Sequence, residues 1–224
     1  MKMLKITALM ALFFTFNANA QKLKMFESSM EKSIGPITKK IPYTSVTTYL
    51  GYAAANTQDE VKDGKNFYYL YVWVPLVAPE MGVRMVSPVT NFKDKKAIVS
   101  DAYSQNKGSK DYFDTYITLE KSNITSKDKL SEASTAKWNV LASNDDSSEL
   151  PKQPSGNAYN SLLRYTSSTS SPESALTRGL YRIGFTTYKT GDVKGTFVAQ
   201  LGAPLKLPGV IVAKTVAEII EQSK

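Results

Sequence analysis

The strongest pattern along the chain is the run FYYLYVWVPLV from Phe67 to Val77, in which apolar and aromatic residues follow one another without polar alternation. It predicts a central strand buried on both faces. YTSVTTYLGY, beginning at Tyr43, has the same β-branched and aromatic texture, and the Asp63-Gly64 pair between the two predicts a hairpin or short connection. GVRMVSP reads as a short strand closed by Pro88, YFDTYITLE (112–120) as a half-buried alternating strand, and WNVL (138–141) and NSLLRYT as two more. RGLYRIGFTTYK and VKGTFVAQL alternate on either side of Thr190-Gly191-Asp192, which predicts a hairpin. Helical spacing is confined to three places. Residues 23–33 set Leu23, Met25, Phe26 and Met30 on one face of a weak helix or arm; 125–136 form a short helix with Thr125 and Asp128 as capping pair; and VIVAKTVAEIIEQSK forms a terminal amphipathic helix with Val212, Val216, Ile219 and Ile220 together. About eight strands with a few peripheral helices make an all-β fold, an antiparallel β-sandwich.

The first twenty residues stand outside that pattern. MKMLK, then ITALMALFFTF, then NANA before Gln21 follow the basic, apolar and small-residue order of a signal peptide cleaved after Ala20. The apolar run is far short of the roughly 20 residues of a membrane span, and no later stretch reaches that length, so no transmembrane segment is expected. Residues 21–224 are expected to be a single exported domain, large enough to bury about 70% of its unfolded surface without disulfides. The residue after the cleavage site is Gln21, and the chain contains no Cys, so a lipid anchor is not expected. The expected location is periplasmic or secreted, or peripheral at the cell surface.

Charge and composition narrow the chemistry. Lys and Arg number 28 against 20 Asp and Glu, a formal +8, with only Arg84, Arg164, Arg178 and Arg182 as guanidinium forks. That is a diffuse lysine charge, which disfavours nucleic acid. Without His or Cys there is no imidazole base and no thiolate, leaving Ser-Lys or a carboxylate pair for catalysis. No G-x-S-x-G motif or phosphate-binding Gly loop is present, so an enzyme is not expected. The stretch 142–158 is a long polar loop carrying Asn144-Asp145-Asp146, followed by Ser147, Ser148 and Glu149. Such oxygens suit Ca2+, yet the spacing is not that of an EF-hand: Glu149 stands where its Gly belongs and Ser155 where its Glu belongs. Taken alone, the pair reads as a solvated turn sooner than as an ion site. The aromatic cluster Phe67, Tyr68, Tyr69, Tyr71 and Trp73 reads as packing, and Arg178 and Arg182 as a solvated or cross-strand-paired face. Lysines at 93–96 and 107–110 would attract acidic glycans or anionic lipid, an attraction that salt screens.

Four segments add a further level: FYYLYVWVPLVAPEMGVRMVSP, DYFDTYITLE, AYNSLLRY and RGLYRIGFTTYKTGDVKGTFVAQLG. Together, from about Tyr43 to Gly202, they resemble the leptospiral major surface lipoprotein family. The resemblance implies a calcium-binding jelly roll, with the ion between a strand carrying an Asp-Thr pair and an acidic loop ending at a Tyr. On that basis the expected metal ligands are Asp114 and Thr115 in FDTY, Asp145 and Asp146 in the loop, and the main-chain carbonyl of Tyr159 in AYNSL. Three carboxylates, up to two Thr oxygens and one carbonyl reach about six donors, enough for Ca2+. The family's lipidated Cys has no counterpart here, and its binding to extracellular-matrix components maps onto no particular residue. The expected function is an exported calcium-binding surface or periplasmic protein, adhesin-like or structural. The rival expectations are a basic module for acidic polysaccharide or envelope lipid without metal, and a carboxylate-pair glycan hydrolase.

Overall fold

Alternate residues of the long strands point into one shared core, and that parity builds two stacked sheets. The computed structural model describes residues 26–189 and 193–224; the leader expected over 1–20 and the turn at Thr190-Gly191-Asp192 lie outside them. In chain order the elements are β1 (Glu27–Ile34), β2 (Ile37–Pro42), β3 (Thr44–Ala53), β4 (Glu60–Lys62), β5 (Lys65–Val74), β6 (Glu80–Val86), β7 (Ile98–Val99), α1 (Asp101–Gln105), β8 (Thr115–Ser122), a 3-10 helix (Lys127–Thr135), β9 (Trp138–Asn144), β10 (Ser161–Thr166), β11 (Gly179–Thr187), β12 (Gly195–Ala203), β13 (Ile211–Ala213) and α2 (Val216–Gln222). One sheet has the order β10-β6-β12-β3-β7; the other has β13-β5-β11-β8-β9, with β4 also on β5. Strands β1 and β2 form a separate ribbon. All pairings among the described residues are antiparallel except the short β3–β7 contact. The eight long strands are those the sequence predicts, and the remainder are the ribbon and three short edge pieces. No described helix is long and apolar enough to cross a membrane.

The inner faces interdigitate. Tyr68, Leu70 and Val72 of β5, Ile117 and Leu119 of β8, and Tyr181, Ile183 and Phe185 of β11 meet Val83 and Met85 of β6 and Phe197, Ala199 and Leu201 of β12. The outer face of β5 is covered as well: Trp73 and Tyr71 pack with Leu130 of the 3-10 helix and with Val216 and Ile219 of α2. Burial on both sides is the reason for the unbroken apolar run, and the aromatic cluster is packing, as expected.

Several expectations are corrected. The predicted hairpin over 179–201 does not form, because β11 pairs with β5 and β8 while β12 pairs with β3 and β6, in the opposite sheet. Two strands that face each other across a core carry the same alternation as two strands that pair, so periodicity cannot distinguish them. Asp63 and Gly64, at φ 52° and 75°, do form a two-residue turn, but it joins β4 to β5, and β3 lies in the other sheet. The helix or arm expected over 23–33 is strand from Glu27, since Gly35 at φ 60° and Pro36 make a tight turn that pairs Ile34 with Ile37. The terminal helix begins only at Val216, capped by Thr215; the β-branched residues before it add β13 to the edge of β5. The helix expected over 125–136 is 3-10, with Ser126 rather than Thr125 at its N-terminus and no side-chain cap. The strand at WNVL runs on to Asn144, and α1, capped by the Ser100 hydroxyl, had no predicted counterpart.

The expected cross-strand pairing of Arg182 is found. It lies opposite Glu120 in the β11–β8 register, 2.8 Å from its carboxylate, between the rings of Tyr69 at 3.8 Å and Trp138 at 4.4 Å. Glu120 and Arg182 are both buried. Removing Glu120 leaves the buried Arg182 with only the more exposed Glu60 carboxylate, 3.6 Å away, to answer its charge, so Glu120→Ala is expected to lower unfolding stability by about 3 kcal/mol in a denaturant melt. A loss below about 1 kcal/mol would show that the pair carries little of the sheet's stability.

Candidate metal centre

Strands β8 and β9 are antiparallel neighbours whose last pair is Ile117 with Asn144. Continuing that register sets Asp145 and Asp146 beside the start of β8, where Asp114 immediately precedes Thr115. The carboxylate oxygens of Asp114, Asp145 and Asp146 lie within 4.8 Å of one another. One oxygen each of Asp114 and Asp145 is buried and has no hydrogen-bond partner. Unpaired buried acceptors that converge are uncommon, because each forfeits its hydration without replacement.

Electrostatics reflect that convergence. The carboxyl of Asp114 is pushed up to about 6, first by burial and then by the charges of Asp145 and Asp146, with Lys189 acting in the opposite sense. Asp145 is raised for the same reasons, burial first and Asp146 second, with Lys65 opposing. Lys65 donates to the Tyr188 carbonyl at 2.5 Å and lies over the Tyr116 and Tyr188 rings at 5.1 and 5.4 Å, so its charge stays at the margin of the cluster.

Thr115 and Tyr159 are brought together as expected, but each engages the other. The Tyr159 carbonyl accepts from the Thr115 amide at 3.0 Å and from its hydroxyl at 3.1 Å. The Thr115 carbonyl accepts from the Ser161 hydroxyl, and the two hydroxyls lie 2.8 Å apart. The other polar residues of the loop are structural. Asn144 donates to the Leu162 carbonyl at 2.7 Å, and Glu149 grips Arg164 with both oxygens at 2.8 and 2.9 Å.

The loop is fastened by residues that carry no sequence signal. Gln153, buried, donates to the carbonyls of Ser87 at 2.9 Å and of Phe113 at 2.6 Å, the latter one residue before Asp114. Asn160 accepts from the Ser87 amide at 2.9 Å and donates to the Pro151 carbonyl, and its own carbonyl accepts from Ser147. A Gln among prolines and serines follows no period; only its burial marks it. Lys65, Lys189 and Ser161 were likewise unpredicted, since their relevance depends on where separate strands end.

The model of the Lipl32 family, surface lipoproteins of the order Spirochaetales, matches residues 37–212. The chain belongs to that family. No curated protein matches significantly. Membership in the Lipl32 family fits a surface or envelope location, and the matched span contains β2 of the ribbon, the sandwich strands from β3 to β12 and all three clustered aspartates.

A carboxyl held above its unfolded value favours the folded state when protonated. With chelator present, the Asp114 contribution to stability is therefore greatest below about pH 4 and declines as pH rises through about 6. Asp114→Asn is expected to remove that decline, seen as the difference between wild-type and variant melting curves from pH 4 to 8. A difference that stays constant with pH would contradict the raised carboxyl.

Proposed function

We propose that the chain is an exported envelope protein that binds one Ca2+ among Asp114, Asp145 and Asp146, and that the ion stabilises a surface face used in adhesin-like or structural binding. The observation that carries this reading is the pair of buried, unpartnered carboxylate oxygens on Asp114 and Asp145 within the three-aspartate cluster. When bound, a divalent cation supplies the positive charge that the cluster lacks. The donor set is all oxygen, which suits Ca2+; Mg2+ demands a smaller and stricter octahedron.

The chain's own residues supply the rest. Asp114 and Asp145 would hold the ion with their unpartnered oxygens, and Asp146, the exposed member of the cluster, would supply the third carboxylate. Rotation of the Thr115 hydroxyl toward Ser161, 2.8 Å away, would free one lone pair of the Tyr159 carbonyl for an ion. Because Gln153, Asn160 and Glu149 fasten the loop independently, the ion's effect is to relieve repulsion rather than to fold the loop. The matrix or acidic-polysaccharide partners of such a face are part of this proposal and are assigned to no residue.

At a hundredfold excess over its dissociation constant, an ion that binds only the folded state adds about 2.7 kcal/mol to stability. Melting of the full chain in Ca2+ and in chelator is expected to show that increment, with Asp146→Ala losing most of it. Coincident midpoints at saturating Ca2+ would contradict the proposal, as would an increment that the variant retains in full.

A further inference from the structure

Among the described residues the β1–β2 ribbon has no third strand, and every residue from Glu31 to Lys40 is exposed. Its root is firm. Phe26 and Tyr43 are buried together, and Glu80, itself buried, accepts from the Ser29 amide at 2.9 Å and from the Tyr43 hydroxyl. Its far end is different. Ile34, Gly35, Pro36 and Ile37 form a turn with no polar side chain, leaving Ile34 70% and Ile37 56% exposed. Two-stranded ribbons are marginal in water, and an aliphatic tip adds nothing to one that stays there.

Register makes the two faces of the ribbon unequal. Ile34 lies opposite Ile37 and Lys32 opposite Lys39, two positions apart on each strand and so on one face. Ser33 and Thr38, whose hydroxyls are 3.0 Å apart, and Glu31 with Lys40 occupy the other. The first face borders an apolar groove of about 590 Å³ lined by Lys32, Ile34, Ile37, Lys39, Lys40 and Ile41, with Pro42 at its end; none of these is acidic. Like charges directly opposite on paired strands are destabilising, and Lys32 and Lys39 sit in that position with no ion pair among the described residues. An anionic partner would relieve the opposition.

We propose that this ribbon is a contact for an anionic lipid surface. Ile34 and Ile37 enter the boundary between headgroups and acyl chains, while Lys32 and Lys39 lie at the phosphates. The spacing suits it: a strand rises about 3.3 Å per residue, so the isoleucines lie roughly 7 Å beyond the lysines, within the roughly 5–10 Å depth of interfacial insertion. An acidic polysaccharide would use the lysines and leave the isoleucines wet. A second copy docked on the same face would bring four lysines together. Membership in an envelope protein family puts such a surface within reach.

The test is co-sedimentation of residues 21–224, the chain without its expected leader, with phosphatidylcholine vesicles containing about one-quarter phosphatidylglycerol, in chelator so that the proposed calcium site plays no part. Binding is expected at low salt, to fall roughly thirtyfold on pure phosphatidylcholine, and to be lost in Ile34→Ser/Ile37→Ser. The chain has no Cys, so Ile37→Cys carries a single environment-sensitive fluorophore, whose emission should shift to the blue with anionic vesicles. If the double variant fails to fold, this label decides the matter. Equal binding to both vesicle types, full binding by the double variant, or an unshifted label would overturn the proposal. So would retention on an acidic polysaccharide without vesicle binding, or a dimer abolished by the double variant.

Discussion

Mutual repulsion among three carboxylates, held within 4.8 Å by a backbone bonded without regard to it, is the constraint on which the candidate site depends. The register between β8 and β9 brings the ends of two strands side by side, and both ends carry aspartate. Hydrogen bonds from Gln153 and Asn160 to main-chain groups then fix the connecting segment. Those bonds hold the backbone of the three aspartates close together, and a proton or a cation relieves their charge there. Protonation appears as the raised carboxyl of Asp114.

The same economy governs the rest of the sandwich. Arg182 and Glu120 place opposite charges on adjacent strands and enclose the cation between two aromatic faces. Lys121 donates its ammonium to the Pro172 and Ala175 carbonyls and to the Thr177 hydroxyl, securing the loop that leads into β11. Wherever these buried or half-buried charges are paired they hold strands or loops together. The aspartate cluster differs in having more negative charge than its own surroundings answer, with Lys65 and Lys189 only partly offsetting it. That imbalance separates a candidate site from a structural ion pair.

How much was legible in the sequence follows from what a pattern can encode. The eight long strands and the doubly buried β5 were readable because each is written into local alternation or composition, whereas Arg182 was open between a solvated and a cross-strand-paired face until its register with Glu120 was known. Which strand pairs with which was not: β11 and β12 share a period because they face one core, and the pattern does not say whether they meet edge to edge or face to face. Asp145 and Asp146 were visible as acidic neighbours in a long loop, yet residue type alone favoured a solvated turn. Asp114, Thr115 and Tyr159 entered only through family resemblance, and Gln153 and Ser161 not at all, because their roles depend on contacts across 40 residues or more. The ribbon was read as a weak helix or arm because the spacing of Leu23, Met25, Phe26 and Met30 imitated a helical face, whereas Gly35-Pro36 supplied a turn between strands.

The central claim is that the three aspartates surround a calcium ion. Anomalous diffraction from a crystal grown in Ca2+ tests it most directly. A single peak is expected among Asp114, Asp145 and Asp146, with oxygens at about 2.3–2.6 Å. A crystal saturated with Ca2+ that shows no anomalous peak there, only water between separated carboxylates, would contradict it.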